Sequence, residues 1–397
     1  MRNSKPEPMR VLQIMECTIG GTRRHIIDVC RGLNGSGVDV HLVAAVERQA
    51  DFREDLEQLE REGVTVHELP MLRSISPGTD ARQLLKLRKL IVELQPHIVH
   101  THSSKAGVLG RLASFLTGVG KRVHTPHTLA FLFGEMFGPA KRTLFYLLEQ
   151  QLAGMSHQLV AVSDSEARTF KASRIVSPEK IRVVPNGIDP GPYANAQALD
   201  LASFGLNPKL PTAAIVGLLN VAKGQDLAIQ ALASKPELKG LQLLIVGHGE
   251  LDGELRELAQ DLGVQKRVAF AGFRRDVPEI LAACDFLLLP SRWEGMPYIV
   301  LEAMASARPV LATPVDGATD LLVDGHSGWL TTDISAQAIA TGLLRVLALS
   351  PLQRQAAGAA ARERVLQGFT DETMVAGLLN IYCSLLGQGS APEGERS

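Results

Sequence analysis

The 397-residue chain has no apolar run approaching the ~18 residues that a helical membrane crossing needs, which argues against an integral membrane protein. Residues 1–8 carry no apolar stretch of the kind that forms the centre of a secretory signal. Cysteine is scarce: Cys17, Cys30, Cys284 and Cys383 stand alone, with neither disulfide-framework nor metal-type spacing, as expected in a reducing compartment. These absences place the expected location in the cytoplasm. Net charge is also nearly absent, at -1, which speaks against general nucleic-acid binding. Two signatures are missing as well. No G-x-G-x-x-G dinucleotide fingerprint follows the first strand, weakening the case for a dehydrogenase, and no D-x-D stands where it would hold a metal.

What is present is a regular alternation of short apolar strands with helical patterns, the mark of α/β domains with parallel sheets. The length suggests two domains, each large enough for its own core. Strands are predicted near 11–15, 38–44, 64–69, 98–101, 122–125, 159–163 and 181–184. A second series is predicted near 212–217, 241–247, 268–272, 286–289, 309–312 and 328–331. Pro185-Asn186-Gly187-Ile188-Asp189-Pro190-Gly191-Pro192 separates the two series and reads as a turn or linker. The expected organisation is disorder over 1–8, one domain over 9–190, a second over 191–370, a helix over 371–386 and a disordered polar tail over 387–397. Two such units imply a cleft, with ligands at the carboxyl ends of the strands.

The most informative stretch is Ser291-Arg292-Trp293-Glu294-Gly295-Met296-Pro297-Tyr298-Ile299-Val300-Leu301-Glu302, directly after the apolar run Phe286-Leu287-Leu288-Leu289 and Pro290. Pro297 suits a first helical position and Pro309 forbids continuation, so about three turns of helix fit between them. Glu294 then precedes a helix N-terminus, where free amides favour an anion, and Glu302 lies about a turn further on. One carboxylate can take sugar hydroxyls and the other a ribose diol, with phosphates along Gly295, Met296 and Pro297 between them.

Glu294 to Glu302, followed by Ala303-Met304-Ala305 and by Arg308-Pro309-Val310, resembles the E-x7-E motif of the retaining GT-B glycosyltransferases of family 4. The resemblance implies two Rossmann-like α/β domains with parallel sheets facing a central cleft, and a last helix that crosses back to the first domain. It gives Glu294 the transferred sugar and Glu302 the ribose. It places Gly20-Gly21, in Ile19-Gly20-Gly21-Thr22-Arg23-Arg24-His25, at the donor phosphates, and Gly272-Phe273-Arg274 at the nucleotide base. Lys223-Gly224 matches the family's cation for the diphosphate, whereas Leu218 stands where an Arg is usual. A leaving diphosphate needs cationic stabilisation, so Arg23, Arg24, Arg274 and Arg292 are the candidates to help Lys223. His127 resembles the family's histidine near the sugar. His102, in Val99-His100-Thr101-His102, is an acceptor-side candidate.

The resemblance implies transfer without a metal or cofactor and with retention, by front-face attack. The donor is a nucleotide-diphosphate sugar, for which a UDP-sugar is the first expectation, although nothing in the sequence identifies the base. Residues 1–190 hold 25 Lys and Arg against 20 Asp and Glu, and 191–397 hold 16 against 22, a positive lean toward the first domain. That lean, the aromatic and basic stretch 129–142 and the basic helix 82–94 fit peripheral contact with an anionic membrane and a glycan or lipid-linked acceptor. Core packing explains 129–142 equally well, and Leu84, Leu87 and Ile91 at helical spacing make it the main reading of 82–94. Solvated charge without a partner is the commoner explanation of the lean. The leading expectation is a hexosyltransferase of cell-envelope glycan assembly. A nucleotide-sugar epimerase of the same fold, or a catalytically silent nucleotide-sugar-binding partner, is the alternative.

Overall fold

The computed structural model describes residues 7–47, 49, 51–71, 74–134 and 136–388. Most of the tail expected to be disordered, and residues 1–6 at the start, fall outside that range. The chain forms two compact units, one of residues up to Asn186 together with those from Asp371 onward, the other Gly187–Thr370.

The first unit holds β1 (Arg10–Met15), β2 (Asp39–Ala44), β3 (Thr65–Glu68), β4 (Ile98–His102), β5 (Lys121–Thr125), β6 (Gln158–Ala161) and β7 (Ile181–Val183). They form one sheet in the order β3-β2-β1-β4-β5-β6-β7, with every pairing parallel. The second unit holds β8 (Thr212–Val216), β9 (Gln242–Val246), β10 (Val268–Gly272), β11 (Phe286–Leu289), β12 (Val310–Ala312) and β13 (Trp329–Leu330). Their order is β10-β9-β8-β11-β12-β13, again all parallel. All thirteen predicted strands are present, most of them trimmed by a residue or two where the chain turns out of the ladder.

Parallel strands covered by helices on both faces are buried on both sides, and β1, β4 and β11 are buried along almost their whole length. Gln13, His100, Thr101 and His102 are polar residues inside this otherwise apolar layer. The terminal helix Asp371–Leu385 buries Met374, Val375, Leu378, Ile381 and Tyr382 in the same core as Ile26, Val29, Cys30 and Leu33 of the first helix. It thus completes the first unit, although the chain has meanwhile built the second. Serine caps start several helices: Ser163 and Ser335 each accept from the amide three residues on, and Ser350 forms a capping box with Gln353.

The strand orders place the sites. In each sheet the order reverses direction once, at β1/β4 and at β8/β11, and adjacent loops there leave toward opposite faces. The crevice opened at such a switch point lies outside the carboxyl ends of the strands. Residues 16–21 and 102–104 flank the first crevice, and 217–224 and 290–297 flank the second.

Candidate active site

At the second switch point the loop after β8 turns through a short 3-10 segment, Val221–Lys223, into the helix Gln225–Ser234. Gly224 joins them with φ +64°, and a Cβ there would lie 2.1 Å from the Pro290 carbonyl oxygen. Only glycine lets the two loops meet so closely. Gly247, at the end of β9, is under the same constraint: φ is +141° and a Cβ would sit 1.9 Å from the Gly217 oxygen.

This contact brings Lys223 to the loop after β11. Its Nζ donates to Glu294 Oε1 at 2.7 Å, and the buried Ser291 Oγ donates to the same oxygen at 2.7 Å. Both charged side chains are partly screened from water, with 24% of Lys223 and 11% of Glu294 exposed. Thr313 secures the loop through its Oγ1 bond to the Ser291 carbonyl at 2.6 Å. Gly295 and the buried Met296 lead to Pro297, whose extended φ of -74° and ψ of 115° make it the helix cap, not the first helical residue. The helix Tyr298–Ala305 is therefore nearer two turns than three, and ends before Pro309 because Ala307 adopts φ +52°. Glu302 lies in its second turn, half-buried.

The helper cations are all engaged. Arg292 reaches Asp226 at 2.6 and 2.8 Å, and Arg274 is held by Asp276. In the first unit Arg23 contacts Asp51 and Asp55, and Arg24 contacts Asp28. Phe273 is half exposed, edge-on to His248 at 5.6 Å, and Gly272 accepts from the Gly247 amide at 2.8 Å.

At the first switch point Gly20 (φ +55°) and Gly21 open the helix Gly20–Gly35, whose first turn has neither a side-chain cap nor an acidic residue. Thr22 Oγ1 closes the turn on the Cys17 and Ile19 carbonyls. Beside it lies a polar cluster of histidines. His102 Nδ1 is 3.2 Å from His127 Nε2, and its Nε2 is 2.8 Å from Gln13 Oε1. The Gln13 amide donates to Tyr382 Oη, which lies 2.6 Å from His100 Nδ1. His25 stacks edge-on against His127 with centroids 4.5 Å apart. Burial pushes the pKa of His25 down to about 4 and that of His100 to about 3. Burial first, and neighbouring rings after it, take His102 and His127 well below the usual histidine range. The rings are neutral at pH 7.

The loop that carries His127 is strained, with φ +53° at His127 and +89° at Thr128. Buried Glu166 holds it there by accepting from the Thr128 and Val162 amides, each at 2.8 Å. Glu16, also buried, accepts from Ser103 Oγ.

The structure therefore brings Lys223 and Glu294 together on one unit, with Gly295, Met296 and Pro297 leading from them into the helix of Glu302. It brings His102 and His127 together on the other, beside Gly20 and Gly21. Sequence reading missed Gln13, Glu16, His25, Glu166 and Ser291. Each is polar and buried, and the side-chain partners of Gln13, Glu16 and His25 lie far along the chain. Ser291 bonds Glu294 three residues on, and Glu166 bonds the Val162 amide four residues back as well as distant Thr128, so only those two had a local signal.

Comparison with known proteins gives the family. Residues 197–364 match Glycosyl transferases group 1 and residues 19–191 match Glycosyltransferase Family 4. The chain is 30% identical over 323 residues to the Escherichia coli UDP-Gal:alpha-D-GlcNAc-diphosphoundecaprenol alpha-1,3-galactosyltransferase, covering 80% of this chain and 82% of that enzyme. It is 28% identical over 369 residues to the D-inositol 3-phosphate glycosyltransferase of Stackebrandtia nassauensis, covering 86% and 82%. Among solved structures, Anabaena HepE in complex with UDP and glucose superposes with a TM-score of 0.80 at 23% identity, covering 95% of this chain and all of that one. WaaG, a glycosyltransferase involved in lipopolysaccharide biosynthesis, superposes with a TM-score of 0.71 at 20% identity, covering 92% and 97%. Two parallel Rossmann-like sheets, both family matches and the similarity to the E. coli enzyme agree: the chain belongs to the family 4 glycosyltransferases of the GT-B fold.

Proposed function

We propose that this protein is a retaining, metal-independent hexosyltransferase that moves a sugar from a UDP-sugar to a hydroxyl of a lipid-linked glycan in cell-envelope assembly. The observation that carries the reading is the Lys223–Glu294–Ser291 constellation at the β8/β11 crevice, an acid and a cation held side by side. A nucleotide-diphosphate sugar offers both groups a better partner: phosphate oxygens for Lys223 and sugar hydroxyls for Glu294. Ser291 keeps Glu294 oriented while the ion pair opens.

In this reading Gly295, Met296 and Pro297 border the diphosphate, Glu302 takes the ribose diol, and Gly272, Phe273 and Arg274 border the base. Gly20 and Gly21 supply backbone amides to phosphate, and His127 supports the sugar as positive charge develops on it. His102 holds the His127 ring and faces the acceptor side. The acceptor hydroxyl attacks on the face from which the diphosphate leaves, and a diphosphate oxygen takes its proton. The UDP-sugar preference is supported by the E. coli relative, which uses UDP-Gal, and by the HepE complex with UDP.

The lipid-linked acceptor is supported by that relative's diphosphoundecaprenol substrate and by one surface of the first unit. On the helix Pro139–Met155, Leu144, Leu147 and Leu148 recur at helical spacing and are each at least 41% exposed, with Met136 and Leu132 exposed just before it. Leu129 and Phe131 are instead buried, and Arg142 is bound to the Phe131 carbonyl. Within 129–142, Leu129 and Phe131 are thus core, while Leu132 and Met136 join the exposed leucines of the helix beyond as the membrane-facing group in this reading. No helix among the described residues is long and apolar enough to cross a membrane, and the contact proposed is a peripheral one.

The test is a panel of UDP-, GDP- and ADP-sugars in a thermal-shift assay, followed by transfer to a polyprenyl-diphosphate sugar. Ligand at 100 times its Kd adds about 2.7 kcal/mol to stability. NMR of the product would then read the anomeric configuration. An inverted product, or stabilisation by no nucleotide, rejects the reading.

A further inference from the structure

The fold brings together three histidines that are far apart in sequence. His25 comes from the helix after β1, His102 from the end of β4, and His127 from the loop after β5. One ring nitrogen of each lies within 4.8 Å of the others. The His102 Nδ1 to His127 Nε2 distance of 3.2 Å is close to the edge of a tetrahedron, about 3.3 Å, built on metal–nitrogen bonds of about 2.0–2.1 Å. The His25 nitrogen, within 4.8 Å of the other two, reaches that edge length by a ring movement of about 1.5 Å or less.

The outer groups fit as well. Gln13 Oε1 can only accept, so at 2.8 Å it fixes the proton of His102 on Nε2 and leaves the Nδ1 lone pair facing the cluster. Gln13 is itself held by its bond to Tyr382 Oη at 3.2 Å. A ligating imidazole whose other nitrogen is pinned by an acceptor is the usual arrangement in built metal sites. Three imidazoles without a carboxylate suit Zn2+ and similar borderline ions and are poor ligands for Mg2+ or Ca2+.

We propose that His25, His102 and His127 form a three-histidine site for Zn2+ or a like transition-metal ion, and that filling it inhibits the enzyme. The inhibitory part rests on the sugar-facing role given to His127, because a ring bound to metal cannot also face the sugar. Three protein ligands leave the fourth position of the ion to water or an anion. The reaction needs no metal in this scheme, and the ion acts as a brake.

The experiment uses the full chain after chelator treatment, titrated with Co2+ and Zn2+. Visible absorption of tetrahedral Co2+ and competition with a chromophoric chelator give stoichiometry and affinity. One equivalent is expected to bind, with about 100-fold weaker affinity in His25→Gln and in His102→Gln and about tenfold weaker affinity in Gln13→Leu. Two other possible ligand groups serve as controls. Cys17→Ser, at a half-buried cysteine outside any disulfide, and His41→Gln, in the stacked His41–His67 pair, leave affinity unchanged. Binding that survives His25→Gln and His102→Gln in folded protein, as judged by circular dichroism, overturns the site. So does binding lost in either control, or no stoichiometric binding at micromolar ion. Micromolar Zn2+ is expected to halt transfer by the wild type, and whatever turnover His25→Gln retains is expected to resist it. Wild-type turnover unaffected by bound Zn2+ overturns the inhibitory role. If no transfer is found with any donor, the catalytic reading fails while the metal titration still decides the site.

Discussion

Lys223→Ala is the substitution whose consequence follows most directly from the structure. It removes an ammonium that sits 2.7 Å from Glu294 and, in the proposed reaction, faces the departing diphosphate. At about 4 Å and an effective dielectric constant of about 20, one unit charge is worth about 4 kcal/mol. Loss of a single donor to a developing oxyanion elsewhere costs about 2.7–4 kcal/mol, or about 10²–10³ in kcat. The two figures agree, and the arrangement around Lys223 makes the upper part of the range the expected one. Leu218 supplies no second charge. Arg292 and Arg274 could move in only by giving up Asp226 and Asp276.

The assay is UDP release at saturating donor, with a polyprenyl-diphosphate sugar as acceptor and a urea melt alongside. Stability is expected to fall by only about 1 kcal/mol, as for other partly exposed ion pairs, since Glu294 keeps its bond from Ser291. A fall in kcat of at least ~100-fold with a smaller change in KM is the expected outcome. Adding Leu218→Arg to Lys223→Ala is expected to recover about tenfold, because a longer cation then reaches the same phosphates. A Lys223→Ala enzyme within tenfold of wild type would refute the reasoning, and so would a loss explained entirely by unfolding.

Three further outcomes concern the scaffold. Gly247→Ala drives a Cβ into the Gly217 carbonyl at a left-handed φ, and is expected to cost at least about 3 kcal/mol in a urea melt; a change below 1 kcal/mol contradicts the geometry. Arg111 is fully buried and bidentate to Glu149 at 2.8 and 3.0 Å, so Arg111→Met is expected to cost about 3–5 kcal/mol and Arg111→Met with Glu149→Leu much less; equal costs would remove the ion-pair explanation. Stability is expected to fall as pH drops from about 6.5 to 4. The buried His25 and the partly buried His157, both pushed down to about 4, bind protons more readily when unfolded, so their contribution is complete above the ordinary histidine pKa and is lost below it. Asp371, raised to about 6 by burial and by Glu372, works in the opposite sense over the same range and offsets about one proton. Denaturation midpoints that stay flat between pH 7 and 4.5 would show that the histidines are solvated.

The architecture was legible because each of its signals is local. A buried parallel strand needs a short apolar run bounded by turn residues, and all thirteen runs are continuous in the chain. The Glu294 motif was legible for the same reason, since strand, loop and helix follow one another within about twenty residues. The errors came where a local rule met a tertiary contact. Pro297 is compatible with either a cap or a first helical position, and the packing of Gly317 against Gly295 and Met296 sets which one is taken. The four arginines looked available because a sequence lists cations without their partners, and Asp28, Asp51, Asp55, Asp226 and Asp276 between them claim all four. The histidine cluster was the least legible feature. His25, His102 and His127 have no ligand spacing along the chain, and their convergence depends on β1 lying between β2 and β4, so that the helix after β1 and the turns after β4 and β5 end at one crevice. The polar layer beneath them is completed by Tyr382, which reaches it only because the last helix returns to the first sheet. Tyr382→Phe therefore joins two parts of the chain that no motif connects. It removes the oxygen that Gln13 and His100 share, and should loosen the His102 ring without touching the second unit. A drop in kcat with donor affinity intact would place that coupling on the sugar side, and a nucleotide thermal shift weakened along with it would deny it.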